Sequence, residues 1–489
     1  MFSILNVLEN MAANKKITLK DGQQRAFELL QDFIRNKDKK VFILKGYAGT
    51  GKTTMMKVLI EELKRRNLHF SLLASTGRAA KILSNTTGQQ AATVHGTIYK
   101  YNDLNQNLEE LIQQREAKGV DSSGQLLLNF ELNPVSHTKR TEEWYYIVDE
   151  ASMISDKEDA TAVQASFGSG RLLKDLLDYD SKGKFLFVGD ACQLPPISQK
   201  VSPALSLQYF RDVFSILASE VELTEIVRQD KGNDIVLSSQ KIRRLYANPQ
   251  PWKWAKFPFR GCKNIHIVNS QVELIQLYIQ RIKKKGLNNS TLLCYSNRQC
   301  DTITQIIRPS LNINSAELAI GDLLLVTQNN YISGLMNGDL VVVESVTHKE
   351  VRAGLTFLNV TVKELFTEKS YSQLMIADIL YQNQINLSQI QQKELFIDFY
   401  KRMKLRGIRQ GKDEFNRQMM QDPYLNALRA VFGYALTCHK AQGGEWEYVF
   451  LDIPRSVPCI EKPYVYQWIY TAMTRAKQEL YIVDDFWVI

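Results

Sequence analysis

Short apolar runs, most of them closed by glycine, serine or a carboxylate, recur along the chain. Val41-Phe42-Ile43-Leu44, Phe70-Ser71-Leu72-Leu73-Ala74, Trp144-Tyr145-Tyr146-Ile147-Val148, Phe185-Leu186-Phe187-Val188, Thr291-Leu292-Leu293-Cys294 and Tyr448-Val449-Phe450-Leu451 are nearly continuous in apolar character. That is the pattern of strands buried on both faces of a parallel sheet. Behind the first run Met56, Leu59, Ile60 and Leu63 recur at helical spacing, so a strand leads into an amphipathic helix. Two other regions alternate instead. Ile98-Tyr99-Lys100-Tyr101 is expected to pair with Leu126 to Leu132 across a polar, helical tip around Leu108 to Lys118. Gly321 to Val326 and Asn337 to Val343 read as short strands joined by a tight Asn-Gly turn. The stretch from about Ser372 to Gln421 is polar and helical in pattern. The fold class is therefore α/β, with parallel sheets interrupted by β insertions.

The first strand–helix junction holds the strongest chemistry. Gly46-Tyr47-Ala48-Gly49-Thr50-Gly51-Lys52-Thr53-Thr54 has the spacing of a P-loop, whose glycines let backbone N–H groups and a helix N-terminus converge on phosphate oxygens. Lys52 is expected at the β- and γ-phosphates and Thr53 on Mg²⁺. Gln23 precedes the strand and carries a donor and an acceptor together, as reading an adenine edge requires. Ser75, Thr76, Arg78, Thr93 and His95 follow the second parallel strand in small polar turns that suit a nucleic-acid backbone. Asp149 and Glu150 end the next strand, one to hold the Mg²⁺ shell and the other to take a proton from an attacking water. Gln193, on a loop stiffened by Pro195 and Pro196, is expected to sense a γ-phosphate.

Composition narrows the partners. The 489 residues carry 61 basic and 52 acidic side chains, a net +9 that suits a polyanion. Six cysteines form no C-x-x-C pair and no zinc-ligand cluster, so reduced thiols are expected. No apolar run reaches membrane length, and Met1 to Met11 lacks a basic n-region. A cytoplasmic protein without a membrane partner is the expectation.

Taken in order, Gln23, the P-loop, Ser75 to Lys81, Thr93-Val94-His95, Asp149-Glu150-Ala151-Ser152, Gly189-Asp190 to Pro196, Leu223 to Gln229, Thr437-Cys438-His439-Lys440-Ala441-Gln442-Gly443 and Tyr470-Thr471-Ala472-Met473-Thr474-Arg475-Ala476-Lys477 resemble the motif series of superfamily 1B DNA helicases, the Dda-like and RecD-like branch. Tyr47 departs from that series, which often has proline there, and a small effect is expected. The resemblance implies two RecA-like domains, ATP and Mg²⁺ as cofactors, and single-stranded DNA and its junctions with duplex as partners. By similarity, Arg228 and Arg475 reach the γ-phosphate, Glu445 accepts from the ribose, and Thr437 and His439 contact the strand. It also implies a domain order: 1–98 and 142–222 for the first RecA-like domain, 99–141 for a hairpin insertion, 223–312 and 431–489 for the second RecA-like domain, and 313–430 for an SH3-like insertion with a helical extension.

The activity implied is ATP-driven 5′-to-3′ movement on DNA by a monomer, in replication, repair or recombination. An RNA helicase and a non-translocating ATP-dependent switch are the alternatives. The hairpin is expected to be a separable appendage, and the basic run from Lys401 to Lys412 a solvated helix face.

Overall fold

The computed structural model describes residues 19–118, 125–137, 140, 142–158, 165–227, 233–382 and 384–489. Four sheets organise them. The first has six strands in the order Ala91–Thr93, His69–Ala74, Trp144–Asp149, Lys184–Gly189, Val41–Gly46 and Ala218–Leu223, all paired in parallel. Successive side chains of a strand point to opposite faces. Phe42 and Leu44 therefore join Met56, Leu59 and Leu63 of the helix Lys52–Arg65 in one core layer, while Val41 and Ile43 join Val94, Leu173 and Phe210 in another. Layers on both faces explain why the strand has no polar alternation.

The second sheet orders Ile265–Val268, Ala476–Val483, Trp446–Leu451, Ser290–Cys294 and Ala435–Thr437, again in parallel. These are two RecA-like α/β lobes. They are not separated by solvent alone: Cys192 and Leu194, from the loop after a first-lobe strand, are buried in the core of the second lobe.

A five-stranded antiparallel sheet, Ser370–Ile376, Leu355–Glu364, Leu340–Arg352, Leu323–Val326 and Ala430–Phe432, forms the insertion. Its Asn337-Gly338 turn differs from the sequence expectation. Leu325 does pair with Leu340, but residues 327–339 run between the strands and the turn only closes that excursion, with Gly338 at φ +94°.

The hairpin pairs Tyr99 with Leu132 and Tyr101 with Phe130. A third strand, Ala165–Phe167, adds in parallel to Leu128–Leu132 and ties the hairpin to the first lobe. Its tip is equally committed. Leu104, Leu108 and Leu126 are buried among Phe396, Phe399, Met403 and Phe415 of the helical extension, and Gln410 exchanges hydrogen bonds with the backbone of Leu108 and Gln106 at 2.9 and 3.0 Å. The separable appendage expected from alternation alone is thus replaced by a bridge between insertions. The basic run is also committed in part: Arg402 pairs with Asp398 and Asp422, and Lys404 meets Glu109 at 2.8 Å. All six cysteines are unpaired. Among the described residues no helix is long and apolar enough to cross a membrane, and no cluster of His, Cys, Asp and Glu has metal-site geometry.

Candidate nucleotide and nucleic-acid sites

The P-loop owes its shape to two glycines in the left-handed region, Gly49 at φ +80° and Gly51 at φ +87°. Gly46 is needed for space, since a Cβ there would lie 2.7 Å from Thr50 Oγ1. Thr50, fully buried, closes the turn by donating from Oγ1 to the Tyr47 carbonyl at 2.8 Å. Lys52 Nζ lies back on the carbonyls of Gly46 and Tyr47, at 2.7 and 3.2 Å.

Gln23 lies beneath this loop. It is 2% exposed, donates to the Thr50 carbonyl at 3.3 Å and accepts from Lys20 N at 3.2 Å. With no side chain on Gly51 to exclude it, the amide lies under the loop and braces it.

A cavity of about 780 Å³ lies between the lobes over this loop. Ala48, Gly49, Gly51, Lys52, Thr53, Thr54, Asp149, Glu150, Gln193, Glu445 and Arg475 all line it. Burial and the adjoining Glu150 carboxylate push the Asp149 carboxyl up to about 7, against the Glu150 N–H and the charge of Lys52. Glu150 itself has φ +50°, a left-handed backbone that costs a side-chain-bearing residue about 1 kcal/mol or more. Gln193 is 4% exposed and its Oε1 has no partner among the described residues. A buried acceptor left unpaired over a phosphate-shaped cradle suits an attacking water or a phosphate-bound one. Glu445 pairs with Lys477 at 3.4 Å. Arg475, 4% exposed, donates to the carbonyls of Thr471 and Gly444 and to Thr474 Oγ1, all in its own lobe. Arg228 lies outside the described residues. The residues present therefore fit a nucleotide with its Mg²⁺: N–H groups and Lys52 for phosphates, Thr53 and Asp149 for the cation.

A second cavity, of about 770 Å³, runs across the same lobes on the other side of Arg78. Ser75, Thr76, Thr93, His95 and His439 line it, as does Lys440. Thr76 and Thr93 use their oxygens to cap helices, accepting from Ala79 N at 3.2 Å and Gly96 N at 3.1 Å. Each hydroxyl keeps its own hydrogen for a phosphate. Burial holds His95 down to about 4 and lowers His439, so both rings are neutral at neutral pH. Arg78 lines both cavities with its guanidinium 4.5 Å over the Trp446 ring of the second lobe, and burial lowers it to about 10. Thr437 departs from its expected place: strand pairing beside Cys294 turns it into a neighbouring crevice with Asn297 and Asp301.

Residues 18–247 match the family described as an AAA domain, and residues 432–483 that of a UvrD-like helicase C-terminal domain. Over 452 residues the chain is 22% identical to the ATP-dependent RecD2 DNA helicase of Deinococcus radiodurans, covering 90% of this chain and 46% of that one. Over 316 residues it is 24% identical to the ATP-dependent DNA helicase dda of Enterobacteria phage T4, covering 63% of this chain and 61% of the phage protein. The chain thus spans about half the length of these two named relatives. A solved Pif1 helicase from Bacteroides in complex with ADP-AlF3 and ssDNA is 17% identical, with TM-score 0.48 over 96% of this chain and 93% of that one. The chain is similar to the superfamily 1B helicases.

Several residues of the second cavity lie outside the motif series. Tyr99, Tyr101, Phe130 and Phe167 line the second cavity, with Phe130 and Phe167 stacked at 4.8 Å and Tyr331 facing them from the excursion 327–339. Alternation places Tyr99 and Tyr101 on one face of the hairpin, but nothing in sequence announces that Phe167 joins them from a three-residue strand.

Proposed function

We propose that this helicase moves 5′ to 3′ along single-stranded DNA and separates duplex ahead of it. The observation that carries the proposal is the arrangement of its two cavities. The nucleotide cleft and an aromatic-lined channel share Arg78 and are both closed by residues from both lobes, so a change in lobe spacing at one alters the other. Rings on the channel wall can stack bases of any sequence, and neutral hydroxyl and imidazole N–H groups can hold phosphates. The DNA helicases RecD2 and dda among its relatives support DNA over RNA as the track. Polarity rests on the resemblance to the 1B branch.

In this reading Lys52 exchanges the carbonyls of Gly46 and Tyr47 for phosphate oxygens, and Arg475 leaves Gly444 and Thr471 to meet developing charge as the lobes close. Arg228 is its companion. Thr53 and Asp149 would hold Mg²⁺, which when bound would supply neutralisation of phosphate charge. Gln193 orients a water, and Glu150 accepts its proton. Steady-state ATPase assays with poly(dT) and poly(U) test the reading: strong stimulation by poly(dT), weak stimulation by poly(U), and no activity in Lys52→Ala are expected. Equal stimulation by both polymers would favour an RNA helicase, and none by either would refute nucleic-acid coupling.

A further inference from the structure

The second lobe touches the P-loop at two successive residues. The Tyr470 hydroxyl accepts from Ala48 N at 3.2 Å and donates to Asp190 Oδ2 at 2.6 Å, fully buried. Beside it, Arg243, from the second-lobe helix Asp234–Ala247, lies over the Tyr47 ring with Cζ 2.9 Å from the centroid. Tyr47 packs on the second-lobe core, and its hydroxyl donates to the Glu222 carboxylate of the first lobe. Arg243 makes no hydrogen bond and no ion pair to any described residue; its guanidinium engages the Tyr47 ring, and its charge also offsets part of the rise that burial imposes on Asp190. Tyr47 also lines two cavities: the nucleotide cleft and a chamber of about 370 Å³ behind the loop, walled by Arg243, Arg244, Gln240 and Cys192. The chamber leaves the guanidinium room to withdraw when the lobes part.

We propose that Arg243 is a positioning residue for ATP hydrolysis, acting through Tyr47 to set the P-loop against Tyr470 when the lobes close. The proposal rests on the helicase reading above. A planar guanidinium on a ring transmits a lateral shift of its helix to the ring, and the ring belongs to the residue that accepts both Thr50 Oγ1 and Lys52 Nζ on its carbonyl. Lobe movement driven by strand binding therefore reaches the phosphate-binding turn without touching phosphate. Tyrosine in place of the proline common in the branch is what makes the contact available, so the departure in the motif has a consequence.

The test compares wild type, Arg243→Ala, Arg243→Lys, Tyr47→Ala, Tyr47→Phe and the double alanine variant, reading kcat and KM for ATP with and without poly(dT), together with Tm. Arg243→Ala should lower the DNA-stimulated kcat about tenfold, the scale of a modest misplacement of reacting groups. Its KM, its kcat without DNA and its Tm should stay at wild-type values. Tyr47→Ala should lose stimulation to the same extent, the double variant should lose no more than either single one, and Tyr47→Phe should keep most of it. Arg243→Lys should resemble the alanine variant, because a compact ammonium lacks the planar guanidinium that covers the ring. Full stimulation in Arg243→Ala, losses that add in the double variant, or an equal fall in the DNA-free rate would each overturn the proposal. Absence of stimulation in wild type would instead refute the helicase reading.

Discussion

Arg475 Nη1 donates to the Gly444 carbonyl at 3.2 Å, which keeps the guanidinium on its own lobe beside the nucleotide cleft. A cation held this way contributes little to ground-state nucleotide binding. Arg475→Ala should therefore reduce kcat about a hundredfold or more, with KM for ATP changing severalfold at most. Equal losses in binding and turnover would make Arg475 a ground-state ligand or a structural residue.

Glu150 separates chemistry from stability. Glu150→Gln should abolish turnover and leave nucleotide binding and Tm close to wild type, because the amide fits but is no base. Glu150→Gly should abolish turnover too, yet gain about 1 kcal/mol over the Gln variant, since glycine takes φ +50° without strain. Calorimetry that finds the glycine variant less stable would remove strain from this account.

The hairpin tip is load for the helical extension. Leu108 is fully buried there, and Leu108→Ala should cost ~2–5 kcal/mol and raise protease sensitivity within 389–421. Replacing 102–133 by a short Gly/Ser turn should uncover Phe396 and Phe399 and destabilise the extension as well. Unchanged proteolysis of the extension in both variants would restore the hairpin to a free appendage.

His95 makes stability depend on pH. Burial lowers its folded value to about 4 against an ordinary 6.5, so below about 6.5 the unfolded chain takes up a proton that the folded one refuses. Stability from this group is complete above that value and falls with pH, by about 1.4 kcal/mol at pH about 5.5. Between pH about 8 and 5.5 the raised Asp149 carboxyl works the other way and the lowered His439 works the same way, so denaturant melts should show wild type losing about that much more stability, or gaining that much less, than His95→Asn over the same interval. An equal pH dependence in the two proteins would remove His95 from this account.

What was legible in the sequence was set by the local backbone. The P-loop follows from its glycines, and the strand Val41–Gly46 from four successive apolar residues between two core layers. Less legible were contacts between segments far apart in sequence. Tyr47 read as an idle departure because Arg243 is reached only through the folding of the second lobe. Gln23 read as a base reader because its chemistry allows that as well as the brace it forms under Thr50. The burial of Leu104, Leu108 and Leu126 by the extension follows no periodic signal in either partner, and the strand Ala165–Phe167 is too short to give one.

Displacement of streptavidin from biotinylated single-stranded DNA tests the central claim most directly, because it reads movement and polarity without requiring duplex separation. With ATP and Mg²⁺, the protein should speed release from the 3′ end and leave streptavidin on the 5′ end in place, and Lys52→Ala should speed release from neither end. Faster release from the 5′ end alone would reverse the polarity, and no release from either end, with DNA-stimulated hydrolysis intact, would contradict translocation itself.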